Sequence, residues 1–341
     1  HTASLRSRLS NLQQRGLISY TAAQFQGRPN VDLSFTAMFD SSRDIRTFSS
    51  RRWEGSTQLT HRWTRSKTFF YRFAYRRVSV DQGTLKIRTE LIPLLSQPVR
   101  VGVFSASYLD DRRDDPSDSR RGTYNSLDLG VATRALGSQT DYFRLLGRNS
   151  TYHPIGSKLV LARMLSFGFL HTLRTRPDLP PSPQDIPLPE RLFAGGASVL
   201  RAFPDNQAGP RDLVTGFPLG GKALLAVGTE LRFPLFRLWG QDVGGVLFHD
   251  AGNIYSGLAD ISVRARQRNQ SDFDYMVHAV GLGFRLRTPI GPVRTDFSFG
   301  PNTPRFRGCQ GTIQELQSGP CEPTDQRINR FQFHFSLGQS F

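Results

Sequence analysis

Long apolar runs are missing from this chain. Of its 341 residues 38% are hydrophobic and the mean hydropathy is -0.39. No segment approaches the roughly 18 consecutive apolar residues that a membrane helix needs. A helical membrane span is therefore excluded. A β-barrel is not, because half of every strand faces a polar lumen and backbone groups pair between strands. Lysine is also scarce, occurring only at 67, 86, 158 and 222 among 44 basic residues that face 28 acidic ones, for a net charge of +16. The basicity is thus almost all arginine. Its residues are spread along the chain, and Arg72 with Arg76, or Arg144 with Arg148, share one face of an alternating segment. That distribution argues against a nucleic-acid patch. It fits a cationic lumen, with loops that meet the anionic headgroups of outer-membrane lipids.

Cysteine is nearly absent, with only Cys309 and Cys321, both in one Gly/Pro/Gln-rich connection. Two cysteines so close suit a disulfide in an oxidising compartment. Their neighbours are Gln, Gly, Thr and Ser with no histidine, which argues against a metal site. The histidines at 61, 153, 171, 249, 278 and 334 are dispersed, with no pair at ligand spacing on one element. Nearby Ser and Asp single out no catalytic triad. No cofactor and no enzymatic activity are expected. An apolar leader is missing too, since His1 to Arg6 contains no hydrophobic region. An exported barrel is then expected to begin after its natural N-terminus.

Alternation of apolar and polar residues is present in abundance. From Arg330 to Phe341, apolar side chains fall at 331, 333, 335 and 337, and the chain stops on an aromatic. Period two means a strand with one greasy face and one polar face. On a transmembrane barrel the greasy face meets lipid, and Phe341 falls in the interfacial girdle. Similar segments predict strands near 3–11, 16–26, 30–40, 52–64, 67–80, 98–109, 122–136, 139–153, 157–174, 221–235, 242–255, 275–288, 292–300 and 330–341. Short connections such as Gly27–Pro29 and Pro289–Pro292 alternate with long ones over about 81–97, 175–220, 256–274 and 301–329. With the C-terminus periplasmic, the long loops and both cysteines lie outside the cell, and the charged turn Asp110–Pro116 lies inside. The expected fold is all-β: a transmembrane antiparallel β-barrel of about fourteen strands spanning 1–341, whose 175–220 loop folds into the lumen. A soluble all-β protein of fourteen strands would normally be divided into domains, and no linker divides this one.

Within the 175–220 loop, Glu190-Arg-Leu-Phe-Ala-Gly-Gly-Ala-Ser-Val-Leu-Arg-Ala-Phe203 carries a more specific signal. Downstream come Thr229-Glu-Leu-Arg-Phe-Pro234, Phe248-His-Asp-Ala-Gly252, Thr288-Pro-Ile-Gly-Pro292 and the ending Phe335-Ser-Leu-Gly-Gln-Ser-Phe341. In this order they resemble the BamA/TamA family of outer-membrane insertases, strongly from about 98 onward. The family's loop motif ends in Val-Arg-Gly-Phe/Tyr. Here Leu200, Arg201, Ala202 and Phe203 match it, preceded by Gly195 and Gly196, and Ala202 stands where the family has glycine. If that position needs a positive φ or close backbone approach, alanine costs about 1 kcal/mol or forces another tip geometry.

Physics gives Arg201 a task independent of the resemblance. A guanidinium carried into a lumen needs a carboxylate, because an unpaired buried charge is costly. Alternation over 223–233 turns Leu225, Val227, Leu231 and Phe233 outward and Glu230 and Arg232 inward, so Arg201 is expected to meet Asp250, with Glu230 as second candidate. The alternative is that Asp250 only caps a strand end beside Ala251 and Gly252. The resemblance implies that the Arg201 and Asp250 counterparts pair, with Phe248 and Gly252 beside them. It also implies that Phe331, Phe333, Phe335, Gly338 and Phe341 form a C-terminal assembly signal.

By the same resemblance the protein would assemble outer-membrane proteins in a Gram-negative bacterium, inserting nascent β-barrels through a lateral seam. Periplasmic chaperones or accessory lipoproteins would bind POTRA domains lying outside this chain. The family barrel has sixteen strands, so an alignment from the C-terminus starts this chain near the third. A two-partner-secretion transporter, a passive channel and a phospholipid transporter are the competing readings.

Overall fold

The computed structural model describes residues 1–43, 45–174, 186–238, 240–286, 288, 293–309, 316 and 322–337. Fourteen strands form one antiparallel sheet in chain order. They are β1 (Thr2–Leu9), β2 (Gln13–Ala22), β3 (Val31–Ser42), β4 (Ser50–Arg62), β5 (Lys67–Val80), β6 (Val99–Asp111) and β7 (Gly122–Ala132), followed by β8 (Asp141–Ile155), β9 (Leu159–Arg174), β10 (Ala223–Leu238), β11 (Gln241–Tyr255), β12 (Val277–Leu286) and β13 (Val293–Phe299). The next two strands, β14 (Arg305–Gly308) and β15 (Thr324–Arg327), form a separate hairpin, and β16 (Phe331–Leu337) returns to pair with β13. Among the elements with described bounds, helical structure is limited to short turns, the longest being α1 (Ile92–Leu95).

Each expected strand corresponds to one member of the large sheet, with ends displaced by a few residues. The segment expected over 122–136 stops at Ala132, because residues 134–136 form a helical turn closed by Gly137 at φ 81. The β14–β15 hairpin falls inside a stretch expected to be loop. Its strands are four residues long and mostly polar, too short for alternation to register.

Two faces follow from the period. On β5, Tyr71, Phe73 and Tyr75 are about 40% exposed while Ala74, Arg76 and Val78 on the opposite face are buried. The outward series continues through Ile18, Phe35, Phe104, Leu129, Leu165, Leu247, Leu282 and Phe333. In water this would be a large apolar patch; on a barrel it is the face toward lipid. The long connections after β5, β9, β11 and β13 all emerge at one end of the sheet, and the turn after β6 and the tight connections after β4, β8 and β10 emerge at the other.

The inward face has a core of its own, built by the long loop after β9, described from residue 186. Ile186 packs with Val101, Val103, Tyr142 and Leu170. Leu188 packs with Phe48, Val80, Leu85 and Ile87. Leu200, Ala202 and Phe203 pack with Ala226, Ile254, Tyr275 and Val277. Fully burying side chains such as Leu200 and Phe203 contributes about 1.5–3 kcal/mol each, enough to hold a loop whose described residues form only one helical turn and isolated bridges.

Candidate functional site: a loop clamped across the lumen

The loop reaches the wall as a tight irregular hairpin. Ala208 donates its N–H to Ala194 O, and Gly196 donates to Phe203 O. Glycine is required at the bend: Gly195 and Gly196 have φ of 131 and 82, and a β-carbon on Gly195 would stand 2.2 Å from Pro204 O. Ala202 does not share that requirement, since only Gln24, Gln26 and Asn206 are non-glycine residues with positive φ among the described residues. Its methyl is buried in the cluster with Leu200 and Phe203, so the expected cost of alanine at this position does not arise from backbone strain.

Arg201 is the centre of the tip. Its Nε and Nη2 donate to the two oxygens of Asp250 at 2.7 Å each, and its Nη1 donates to Glu230 Oε1 at 2.8 Å. Asp296 Oδ2 lies 3.6 Å from Nη1, and the guanidinium carbon sits 3.5 Å from the centroid of the Phe248 ring. The side chain is 2% exposed. Burial alone would lower its pKa, but Asp250, then Glu230 and Asp296, more than reverse this and hold it above the ordinary arginine value. Asp250 caps no strand end: it lies within β11, opposite Gly228 on β10 and Ala279 on β12, and these small neighbours leave room for the guanidinium. Gly252 passes close to β10, where a β-carbon would meet Leu225 O at 2.3 Å.

The backbone of Arg201 extends the clamp. Its carbonyl accepts from Ser298 Oγ at 2.6 Å and lies 3.1 Å from His334 Nε2. The latter bond requires the tautomer with its proton on Nε2. One loop residue is thereby bonded to β10, β11, β13 and β16.

A second clamp, not anticipated from sequence, holds the base of the same loop. Glu190 accepts from Arg76 Nε at 2.9 Å, from Arg76 Nη2 at 2.5 Å and from Tyr142 OH at 2.9 Å. Glu54 stands 3.6 Å from the other side of Arg76. Burial would raise the Glu190 pKa, but Arg76, Arg52 and the Tyr142 hydroxyl bring it below the ordinary carboxylate range. Further along, Arg88 meets Asp212 at 3.1 Å, and Thr215 Oγ1 donates to Lys86 O at 2.8 Å. The sequence signal was available: Arg76 is on the inward face, and Glu190 opens the motif.

The remaining candidates are dispersed. Phe331, Phe333 and Phe335 point outward, with Phe331 against Phe299 and Phe333 against Phe297 at ring distances of 4.9 and 5.1 Å. Gly338, Phe341 and Cys321 lie outside the described residues. Cys309 is disulfide-bonded and buried beside the loop, within 3.2 Å of Val214 O. No cluster of three or more potential metal ligands occurs among the described residues.

Comparison with known proteins agrees with this architecture. The chain is 26% identical over 233 residues to the outer membrane protein assembly factor BamA of Nitratidesulfovibrio vulgaris, covering 68% of this chain and 24% of the relative. The fold matches BamA from Haemophilus ducreyi lacking POTRA domains 1–3, with a TM-score of 0.71 and 15% identity over 97% of this chain and 63% of that one. CdiB from Escherichia coli aligns at a TM-score of 0.49 and 11% identity, over 95% of this chain and 58% of its own. The chain thus spans about a quarter of the curated relative and less than two thirds of the BamA structure. The Omp85 superfamily domain matches residues 1–341 from end to end, and this chain belongs to that superfamily as an integral β-barrel protein of the Gram-negative outer membrane.

Proposed function

We propose that the chain is the membrane-embedded part of an outer-membrane protein assembly factor, which folds and inserts nascent β-barrel proteins without covalent chemistry. The observation that carries this reading is the bond between the loop tip and the last strand of the sheet. β16 pairs with β13 on one side and with no other described strand, and His334 on its inner face meets the Arg201 carbonyl. Unpaired backbone donors and acceptors are expensive in lipid, so a strand edge held in place at that depth templates an incoming strand by β-augmentation. The segment 175–220 acts as the lumen loop that sets the position of the edge. Chaperones or accessory lipoproteins would engage periplasmic POTRA domains of the parent protein.

Depletion of the parent protein, followed by quantitative mass spectrometry of the outer membrane, tests the proposal. A fall across many unrelated barrel proteins supports it. Loss of a single secreted client, or of none, rejects it in favour of a dedicated transporter or a channel.

A further inference from the structure

The β14–β15 hairpin has two unlike faces. Phe306, with Gln326 opposite it in register, turns toward the lumen loop and lies over the Arg211 guanidinium. The other face sets Arg305 directly opposite Arg327, and Arg307 opposite Asp325. Like charges placed directly across a ladder are destabilising, so the first pair weakens a hairpin whose strands are only four residues long. Arg330, just before β16, adds a third cation. After burial, it and Arg305 are what hold the Arg327 pKa below the ordinary arginine value.

No carboxylate answers these three among the described residues. Arg327 donates only to neutral oxygens, Thr303 Oγ1 at 3.1 Å and Pro301 O at 3.4 Å, and the side chains of Arg305 and Arg330 make no hydrogen bond or ion pair. The acids nearby are engaged elsewhere. Asp325 faces Arg307 and accepts from Gln270 Nε2 at 3.1 Å, and Asp272 holds Arg264 at 2.8 Å. Glu322 adjoins Pro323, whose carbonyl accepts from Arg307 Nη2 at 3.1 Å.

The three arginines stand at the rim above the last strand, at the end that carries the long connections and is the outer one when the C-terminus is periplasmic. Gly300, which follows β13, donates its N–H to Arg330 O. One step inside it, Phe299 and Phe331 stack at 4.9 Å on the outward face. Aromatic rings at a strand end mark the level where acyl chains give way to headgroups, and an arginine there lays its stem on the apolar side and its head among polar groups.

We propose that Arg305, Arg327 and Arg330 bind a phosphate group of an outer-leaflet lipid. Three permanent cations without an acid suit a phosphate monoester, which carries about 1.5–2 negative charges near neutral pH, better than a carboxylate, and the guanidinium fork matches its oxygens. The aromatic pair beneath favours a phosphate that carries acyl chains over one free in solution. The site rests on the membrane placement of the barrel and not on the assembly reading, so failure of the depletion experiment leaves it standing.

The test uses the whole chain in uncharged detergent micelles and dye-labelled lipid A, in its diphosphorylated form and with both phosphates removed. The phosphorylated lipid should bind about tenfold more tightly, the range expected for hydrogen bonds to a charged group. The double variant Arg305→Gln/Arg327→Gln should bring this ratio toward one. Arg28→Gln/Arg65→Gln, which removes the same charge from exposed turns at the opposite end, should leave it unchanged, and heat-modifiable gel migration checks that both variants are folded. Equal binding of the two lipids, a preference untouched by the hairpin variant, or an equal loss in both variants overturns the proposal. Competition by sodium phosphate at concentrations as low as those of the lipid would overturn the lipid as the carrier.

Discussion

The two clamps on the lumen loop have opposite polarity. At the tip the loop supplies the cation, Arg201, and the wall supplies Asp250, Glu230 and Asp296. At the base the loop supplies the anion, Glu190, and the wall supplies Arg76. The reversal is local to each contact: Arg76 and the Tyr142 hydroxyl meet Glu190 on the strands before the loop, whereas Glu230, Asp250 and Asp296 surround Arg201 on the strands after it. The clamps also differ in redundancy. Arg201 is shared by several strands, while Arg76 keeps Glu54 when Glu190 is lost.

That contrast can be broken most severely at the tip. Arg201→Glu would place a fourth carboxylate beside three others in a buried site, where removing one partner of a buried pair already costs about 3–5 kcal/mol. The variant should lose heat-modifiable folded protein and assembly activity, and adding Asp250→Arg should restore part of both. Two equally damaged variants with no recovery in the double would remove the pair from the argument.

Truncation at the base should cost less. Glu190→Gln is expected to destabilise the folded barrel by about 1.5–3 kcal/mol, the range for hydrogen bonds to a charged group, measured by thermal unfolding in detergent. A loss as large as that of Arg201→Glu would make the base the principal anchor.

The pH dependence sharpens the same comparison. Because the folded-state pKa of Glu190 is depressed, its contribution is complete above the ordinary glutamate range and disappears as the pH falls through the folded value. The stability difference between wild type and Glu190→Gln should therefore be constant near neutrality and close progressively in acid. A gap that persists below both values would show that Glu190 acts through packing and not through charge.

The smallest effect belongs to Ala202→Gly. With no positive φ to relieve, glycine only removes a buried methyl and adds backbone freedom, for a loss of about 1 kcal/mol. A gain in stability would mean that alanine strains the tip.

The large sheet was legible in the sequence because period two persists over seven or more residues in each strand and turn residues separate them. Arg201 with Asp250 was legible for a different reason: a buried guanidinium demands an acid, and alternation turned few acids inward. Asp296 escaped because nothing local distinguishes it from other inward polar residues on β13. The base clamp escaped because 114 residues separate Arg76 from Glu190, and only the closing of the lumen around the loop brings them together. The β14–β15 hairpin carries too few residues for a pattern, yet Phe306 on it lies 4.4 Å from the Arg211 guanidinium and so covers the loop from outside.

The tie from His334 and Ser298 ends on a main-chain oxygen, which every amino acid possesses. Mutation at residue 201 can therefore abolish the ion pairs while leaving the acceptor for β16 intact, provided the chain keeps its path. A contact of this kind depends on the route of the backbone and not on the identity of the residue, so a change of side chain at the tip need not release the edge strand.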